Sequence, residues 1–201
     1  ASQGMIIKLE GRTSHASEPE KGNSPAAAVT DIIRFFSETA SKKNLHAGTF
    51  ATVIYVKIGE IAFGTSPGMA EVMATLRSPS DAGLKELSEN ALETIRGIAE
   101  NYNLNYELAW TEEFAAVRND LQCTEAVEKA AIHNGYEIIK MERPFRWSED
   151  FGLYTQSYKG ALFGLGAGIS APSLHSPDYE FPDDLIEPGI RMFFTALSSL
   201  L

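Results

Sequence analysis

Two histidines occupy sequence surroundings that would present an imidazole for chemistry. His15 lies in Gly11-Arg12-Thr13-Ser14-His15-Ala16-Ser17, a run of small residues leaving a strand, where a side chain is exposed rather than packed. There it can donate a hydrogen bond or exchange a proton. His175, in Ser173-Leu174-His175-Ser176-Pro177-Asp178-Tyr179, follows an apolar segment and a glycine-rich stretch, the kind of place where open α/β sheets gather ligand-binding residues. Carboxylates crowd the same part of the chain at Glu149, Asp150, Asp178, Glu180, Asp183 and Asp184, so imidazole and carboxylate ligation of a metal is chemically open. Against it, no pair has a tight spacing such as His-x-x-x-His on a helix. A solvated acidic rim, with Asp183 or Asp184 near a helix start, explains most of these carboxylates equally well. The other two histidines read as structural: His46 as a solvated linker side chain, and His133 as a cation in the last turn of a helix before Gly135, where the helix dipole favours it. Neither a phosphate-binding Gly-x-x-x-x-Gly-Lys-Ser/Thr nor a Cys-x-x-Cys occurs, and Gly164-Leu165-Gly166-Ala167-Gly168 does not continue into a dinucleotide fingerprint.

The elements that must position these residues follow from periodicity. Met5 to Glu10 predicts a short strand, and a polar Gly/Ser/Pro stretch leads to a helix capped near Asn23 or Ser24 with Pro25 in its first turn. Val29, Ile32, Ile33, Phe36 and Ala40 form the apolar stripe of that helix, and Ser41 to Thr49 breaks it. Phe50 to Ile58 alternates as a strand, Gly59 to Gly68 connects, and Ala70 to Arg77 alternates again with Ala70, Val72, Ala74 and Leu76 on one face. Arg77 then leaves the side away from the helices, free to act. Pro79 to Asp81 introduces a second helix with Leu84, Leu87, Ala91, Ile95 and Ile98 on one stripe, and Leu104 to Trp110 alternates in a last strand. The order βαββαβ predicts a ferredoxin-like antiparallel sheet with both helices on one face. After it come a helix over about 120–134, short strands at Glu137–Met141 and Ala161–Leu165, a turn or helix over 148–158, and a final helix opened by Pro188 with Ile190, Phe193, Phe194, Leu197 and Leu201 on a stripe. That is a thin core, the flank of a larger α/β layer. The expected division is 1–113 and 114–201.

Composition bounds the partners. In 201 residues, 44% hydrophobic, there is material for a substantial core. The formal net charge of −10 argues against nucleic acid. A lone cysteine, Cys123, suits a reduced, buried thiol. No apolar run approaches the roughly 18 residues of a membrane span, and no basic-then-apolar leader opens the chain, so the cytoplasm is the expected compartment. A first residue of Ala1 with a strand starting almost at once leads us to expect a native polypeptide that begins upstream.

Taken together, these residues resemble the zinc-dependent aminoacylase and carboxypeptidase family of metallopeptidases, which includes N-acyl-amino-acid amidohydrolases, allantoate amidohydrolase, auxin-conjugate hydrolases and dipeptidases. Gly11 to Pro19, with Gly22-Asn23-Ser24-Pro25-Ala26, is similar to the opening of the family's inserted ferredoxin-like lid and dimerisation domain. Ser148-Glu149-Asp150-Phe151 and Leu174-His175-Ser176-Pro177, with Tyr179 and Phe181, are similar to the returning C-terminal part of its α/β catalytic domain. The resemblance implies hydrolysis of an amide bond in an N-acyl amino acid or small peptide by zinc-activated water, with two zinc ions in the complete enzyme. It implies that His175 is a metal ligand, that His15 reaches across a homodimer to stabilise the oxyanion in the partner's site, and that Arg77 is a bidentate clamp for a substrate carboxylate.

Two departures stand out. Gly64 in Phe63-Gly64-Thr65-Ser66-Pro67 stands where many members carry an Asn, so the resemblance does not extend to the second polar contact to substrate that this Asn implies. The upstream metal histidine, bridging aspartate and paired glutamates have no counterpart here, since Glu112-Glu113 ends a lid strand. The expectation is therefore the second half of a hydrolase, inactive alone. The competing expectation is a noncatalytic dimerisation or ligand-binding module that retained the lid.

Overall fold

The computed structural model describes residues 1–39 and 46–199 of the chain. Contacts gather them into two units, Ala1–Ala116 with Phe145–Gly152, and Val117–Pro144 with Leu153–Leu201.

In the first unit the alternating segments become four long strands, β1 (Ser2–Glu10), β3 (Phe50–Ile58), β5 (Met69–Arg77) and β6 (Asn105–Phe114), with a two-residue pair β2 (Ser14–His15) and β4 (Thr65–Ser66) standing apart from them. The long strands pair antiparallel in the order β3-β5-β1-β6. Helices α1 (Ala26–Glu38) and α2 (Asp81–Asn101) supply the two crossovers, so the ferredoxin-like βαββαβ order is the observed one. Period-two burial explains the layer: Met5, Ile7 and Leu9 of β1 and Val72, Ala74 and Leu76 of β5 turn one face inward. There they meet Val29, Ile32 and Phe36 of α1 and Leu87, Ala91 and Ile95 of α2, all essentially inaccessible. The Ser80 hydroxyl starts α2 by accepting from the Gly83 N–H at 3.1 Å. Ala40, and the part of the expected break from 41 to 45, lie outside the described residues. Glu112-Glu113 falls where β6 bulges against β1, with Glu112 at a φ of 51°, a strand irregularity rather than a site.

The second unit contains α3 (Leu121–His133) and α5 (Ile186–Ser198), while α4 (Phe151–Ser157) begins in the segment returning to the first unit and runs on into the second. Asp120 caps α3 by accepting from the Cys123 N–H at 3.1 Å, and Gly135 follows its end with a φ of 72°. Ala130, Ala131 and Met192 form a small core with Val127, Tyr136, Phe163, Leu165 and Ala196 around it.

Here the structure corrects three expectations. Glu137–Met141 and Ala161–Leu165 are not strands: a strand exists only through a hydrogen-bonded neighbour, and no β-pairing is made by either among the described residues. The final helix starts at Ile186, so Pro188 is its third residue, still within the first turn, where the missing N–H costs nothing. Its stripe of Ile190, Phe193, Phe194 and Leu197 is exposed, whereas Met192 is buried; Leu201 lies outside the described residues. Cys123 is a half-buried free thiol, pushed up from its ordinary pKa first by burial and then by the Asp120 carboxylate. No helix among the described residues is long and apolar enough to cross a membrane.

Candidate active site

His15 is carried on a ribbon fastened at its base by backbone contacts. As β1 ends, the Gly11 N–H donates to the Gly68 carbonyl at 2.7 Å, and Arg12 and Asn23 exchange N–H···O bonds of 2.9 and 2.7 Å. Only glycine fits at position 11, because a Cβ there would lie 2.1 Å from the Asn23 carbonyl oxygen. The Asn23 side-chain amide donates to the carbonyls of Tyr102 and Asn103 at 3.0 and 2.8 Å, tying the loop to the end of α2. Replacing Asn23 with alanine leaves both carbonyls without that partner and is expected to lower unfolding free energy by about 1–3 kcal/mol. Urea denaturation of the Asn23→Ala variant measures this loss directly. Above the clasp β2 and β4 pair, Ser14 opposite Ser66 and His15 opposite Thr65, and the Ala16 N–H donates to the Gly64 carbonyl at 3.0 Å.

On this ribbon the imidazole is exposed and oriented by its own loop. Nδ1 lies 2.7 Å from the Ser17 hydroxyl and accepts from the Ser17 backbone N–H at 3.2 Å. With Nδ1 accepting, the tautomer assigned from the hydrogen bonds carries its proton on Nε2 and directs that donor outward. The sequence places Ser17 beside His15 without assigning it a role; a small hydroxyl residue two positions after a loop histidine is the signal for this contact.

Gly64-Thr65-Ser66-Pro67-Gly68 also has the Gly-x-Ser-x-Gly spacing of a nucleophile elbow. Ser66 nevertheless sits in the β-ribbon opposite Ser14, without the strand-to-helix turn that exposes such a serine, so the spacing carries no nucleophile.

Arg77 ends β5 on the face away from the helices, as its register requires, and is half-buried. It is not wholly free. Nη1 donates to the Arg146 carbonyl at 3.1 Å and reaches the Ser148 hydroxyl at 3.4 Å. The Arg146 guanidinium in turn lies 4.2 Å from the centroid of Phe50, the residue opposite Arg77 in the sheet. A guanidinium has five N–H donors, so one arm can be tethered while the others remain available to a carboxylate.

His175 belongs to the second unit and lies in a turn closed by the Ser176 N–H and the Ser173 carbonyl at 3.0 Å. Its φ is 65°, a left-handed conformation that side chains adopt at a cost and that turns normally give to Gly or Asn. The imidazole is exposed, as are Asp178, Glu180, Asp183 and Asp184 of the same unit. Glu149 and Asp150, in the first unit, are exposed as well. Among the described residues no three His, Cys, Asp or Glu side chains converge to hold a metal ion. His46 is exposed, with Nε2 3.4 Å from Glu86, and His133 is exposed in the last turn of α3.

The sequence profile of peptidase family M20/M25/M40 matches residues 11–199. The chain belongs to that family. Among its relatives are the N-acetyldiaminopimelate deacetylases of Bacillus subtilis, 20% identical over 94% of this chain and 50% of that protein, and of Lactobacillus helveticus, 23% identical over 92% and 48%. A dinuclear metal-binding peptidase of the M20 family from Bacillus subtilis superposes with a TM-score of 0.70 at 19% identity, covering all of this chain and 50% of that one. A hydantoinase/carbamoylase family amidase from Burkholderia ambifaria gives 0.71 at 16% identity over 99% and 47%. The chain thus spans about half the length of the curated relatives it matches. Membership makes it part of a hydrolase family whose members include those deacetylases and that metal-binding peptidase, and the matched interval contains the His15 ribbon, Arg77 and His175.

Proposed function

We propose that the polypeptide containing this chain hydrolyses the amide bond of an N-acyl amino acid or small peptide, using water activated by zinc. His15 donates to the developing oxyanion, His175 supplies one metal ligand, and Arg77 receives a substrate carboxylate with its untethered donors. The observation that carries this reading is the His15 geometry: a clamped ribbon, an Nδ1 engaged by Ser17, and an Nε2–H left to donate. Such a donor stabilises charge that appears only in the transition state. The described residues do not form a zinc site, since one imidazole without two converging partners cannot fix a metal; the remaining ligands and the general base belong to sequence outside this chain. The exposed apolar stripe of α5 and the unpaired segments at 137–141 and 161–165 fit the same view, because a larger layer would cover and pair them.

Calorimetric titration with zinc, alongside an assay on N-acetyl amino acids, tests the division of labour. The chain alone is expected to bind zinc weakly and to turn nothing over, and the polypeptide extended through its upstream reading frame to do both. Tight stoichiometric zinc binding or sustained turnover by the chain alone refutes this assignment of ligands.

The alternative reading is a noncatalytic dimerisation or ligand-binding module. An extended polypeptide that binds no zinc and cleaves no amide selects it.

Both readings use a homodimer, and β3 is the edge that suits one. It lies at the rim of the sheet with Ile54, Tyr55, Val56 and Ile58 exposed; the Ala51 N–H at its start donates to the Thr39 hydroxyl at 2.9 Å, and the edge beyond it can pair with a second copy. Light scattering over a dilution series is expected to show dimers in the micromolar range. Ile54→Lys, a charge on that edge, is expected to shift them towards monomer, and a strictly monomeric parent at high micromolar concentration rules the interface out.

A further inference from the structure

The connection between β3 and β5 carries two side chains for which the fold has no use. Ile61 and Phe63 are fully exposed, at 105% and 104% of their reference accessibility, in a segment held at both ends. At one end the Gly59 N–H donates to the Met69 carbonyl at 2.9 Å; at the other, Thr65 pairs with His15 and the Gly64 carbonyl accepts from Ala16. Phe63 is two residues from the position directly opposite His15, so the ribbon that presents the imidazole also presents the aromatic ring. At Gly64, beside Phe63, a Cβ would meet nothing within 4 Å.

A loop tip in water ordinarily carries polar residues, since exposing a large apolar side chain forgoes the gain of burying it. Ile61 and Phe63 flank Ala62, Gly64 follows, and only Glu60 on this tip is charged. An apolar surround also suits the donor beside it, because excluding water strengthens a hydrogen bond to an oxyanion.

We propose that Ile61 and Phe63 form an apolar wall beside His15 that receives an uncharged, apolar substituent flanking the scissile amide, either the acyl group or the amino-acid side chain. The inference rests on the proposed role of His15 and narrows the substrates to those with an aromatic or branched aliphatic group at that side.

The experiment uses the full-length polypeptide and two substrate series. One varies the acyl group on glycine from acetyl to benzoyl, and the other varies the side chain of N-acetyl amino acids from glycine to phenylalanine. In one series, Phe63→Ala is expected to cut the preference in kcat/KM for the aromatic member at least ten-fold, and Phe63→Leu to keep most of it. The series that responds identifies the source of the group. Neither residue is part of a core, so the variants should fold as the parent does, which circular dichroism checks. Preferences unchanged in both series, equal losses on every substrate, or conversion of the dimer to monomer by Phe63→Ala would each overturn the wall. His15→Ala separates the two claims: if it leaves turnover intact the reading of His15 fails, whereas if it abolishes turnover while Phe63→Ala leaves the preferences alone, only the wall fails. A polypeptide that cleaves neither series removes both.

Discussion

Replacing His15 with alanine in the full-length polypeptide is expected to lower kcat about 10²- to 10³-fold while changing KM far less, the pattern of a lost oxyanion donor. Fold stability should be nearly unaffected, because the ring is exposed and its Nδ1 partners, the Ser17 hydroxyl and N–H, face solvent as well. If His15 is instead a structural loop residue, the substitution costs little activity, or lowers melting temperature and activity together. Ser17→Ala provides a graded version. It removes the hydroxyl that steadies the ring but leaves the backbone N–H bond to Nδ1, so a smaller loss of kcat is expected. Sharing of the site between subunits has its own readout. Mixing His15→Ala subunits with subunits lacking the upstream general base should restore activity, since each mixed dimer would contain one intact composite site. Confirmed subunit exchange without recovered activity ends the shared-site assignment.

The second large effect is expected at His175. On the proposed reading of His175 as a metal ligand, its loss should reduce zinc affinity in the full-length polypeptide by more than the roughly 10- to 100-fold typical of residues that merely support a ligand, and turnover should fall with it. The left-handed backbone at His175 supplies an internal control. Glycine relieves a conformational cost on the order of 1–2 kcal/mol that alanine retains. In the metal-free state His175→Gly should therefore be at least as stable as the parent and more stable than His175→Ala, while both lose zinc. Thermal melts with metal quantification after dialysis check the two expectations separately. If His175 is only a turn residue, the glycine variant keeps both its metal and its activity.

The sequence by itself determined the ferredoxin-like unit. Its strands alternate with period two and its helices carry stripes at helical spacing, and these local patterns agree with the sheet that forms: Met5, Ile7 and Leu9 inward, Val72, Ala74 and Leu76 inward, Arg77 out. The family was legible too, because Gly11, Asn23 and the residues around His15 are constrained by backbone contact, and such constraints leave a motif. Only the tertiary structure decided the rest. Pairing is a property of two segments, so Glu137–Met141 and Ala161–Leu165 read as strands by composition yet remain unpaired among the described residues. The tether from Arg77 to Arg146 and Ser148 joins residues about seventy positions apart, and no periodicity records that contact. The proton position on His15 depends on Ser17 Oγ and N–H lying within reach of Nδ1, and the neighbourhood of Phe63 depends on β2 meeting β4 across some fifty residues. Local patterns encode which face a residue takes; which distant group it meets is fixed only when the chain closes its long loops, and the chemistry of this site resides in those meetings.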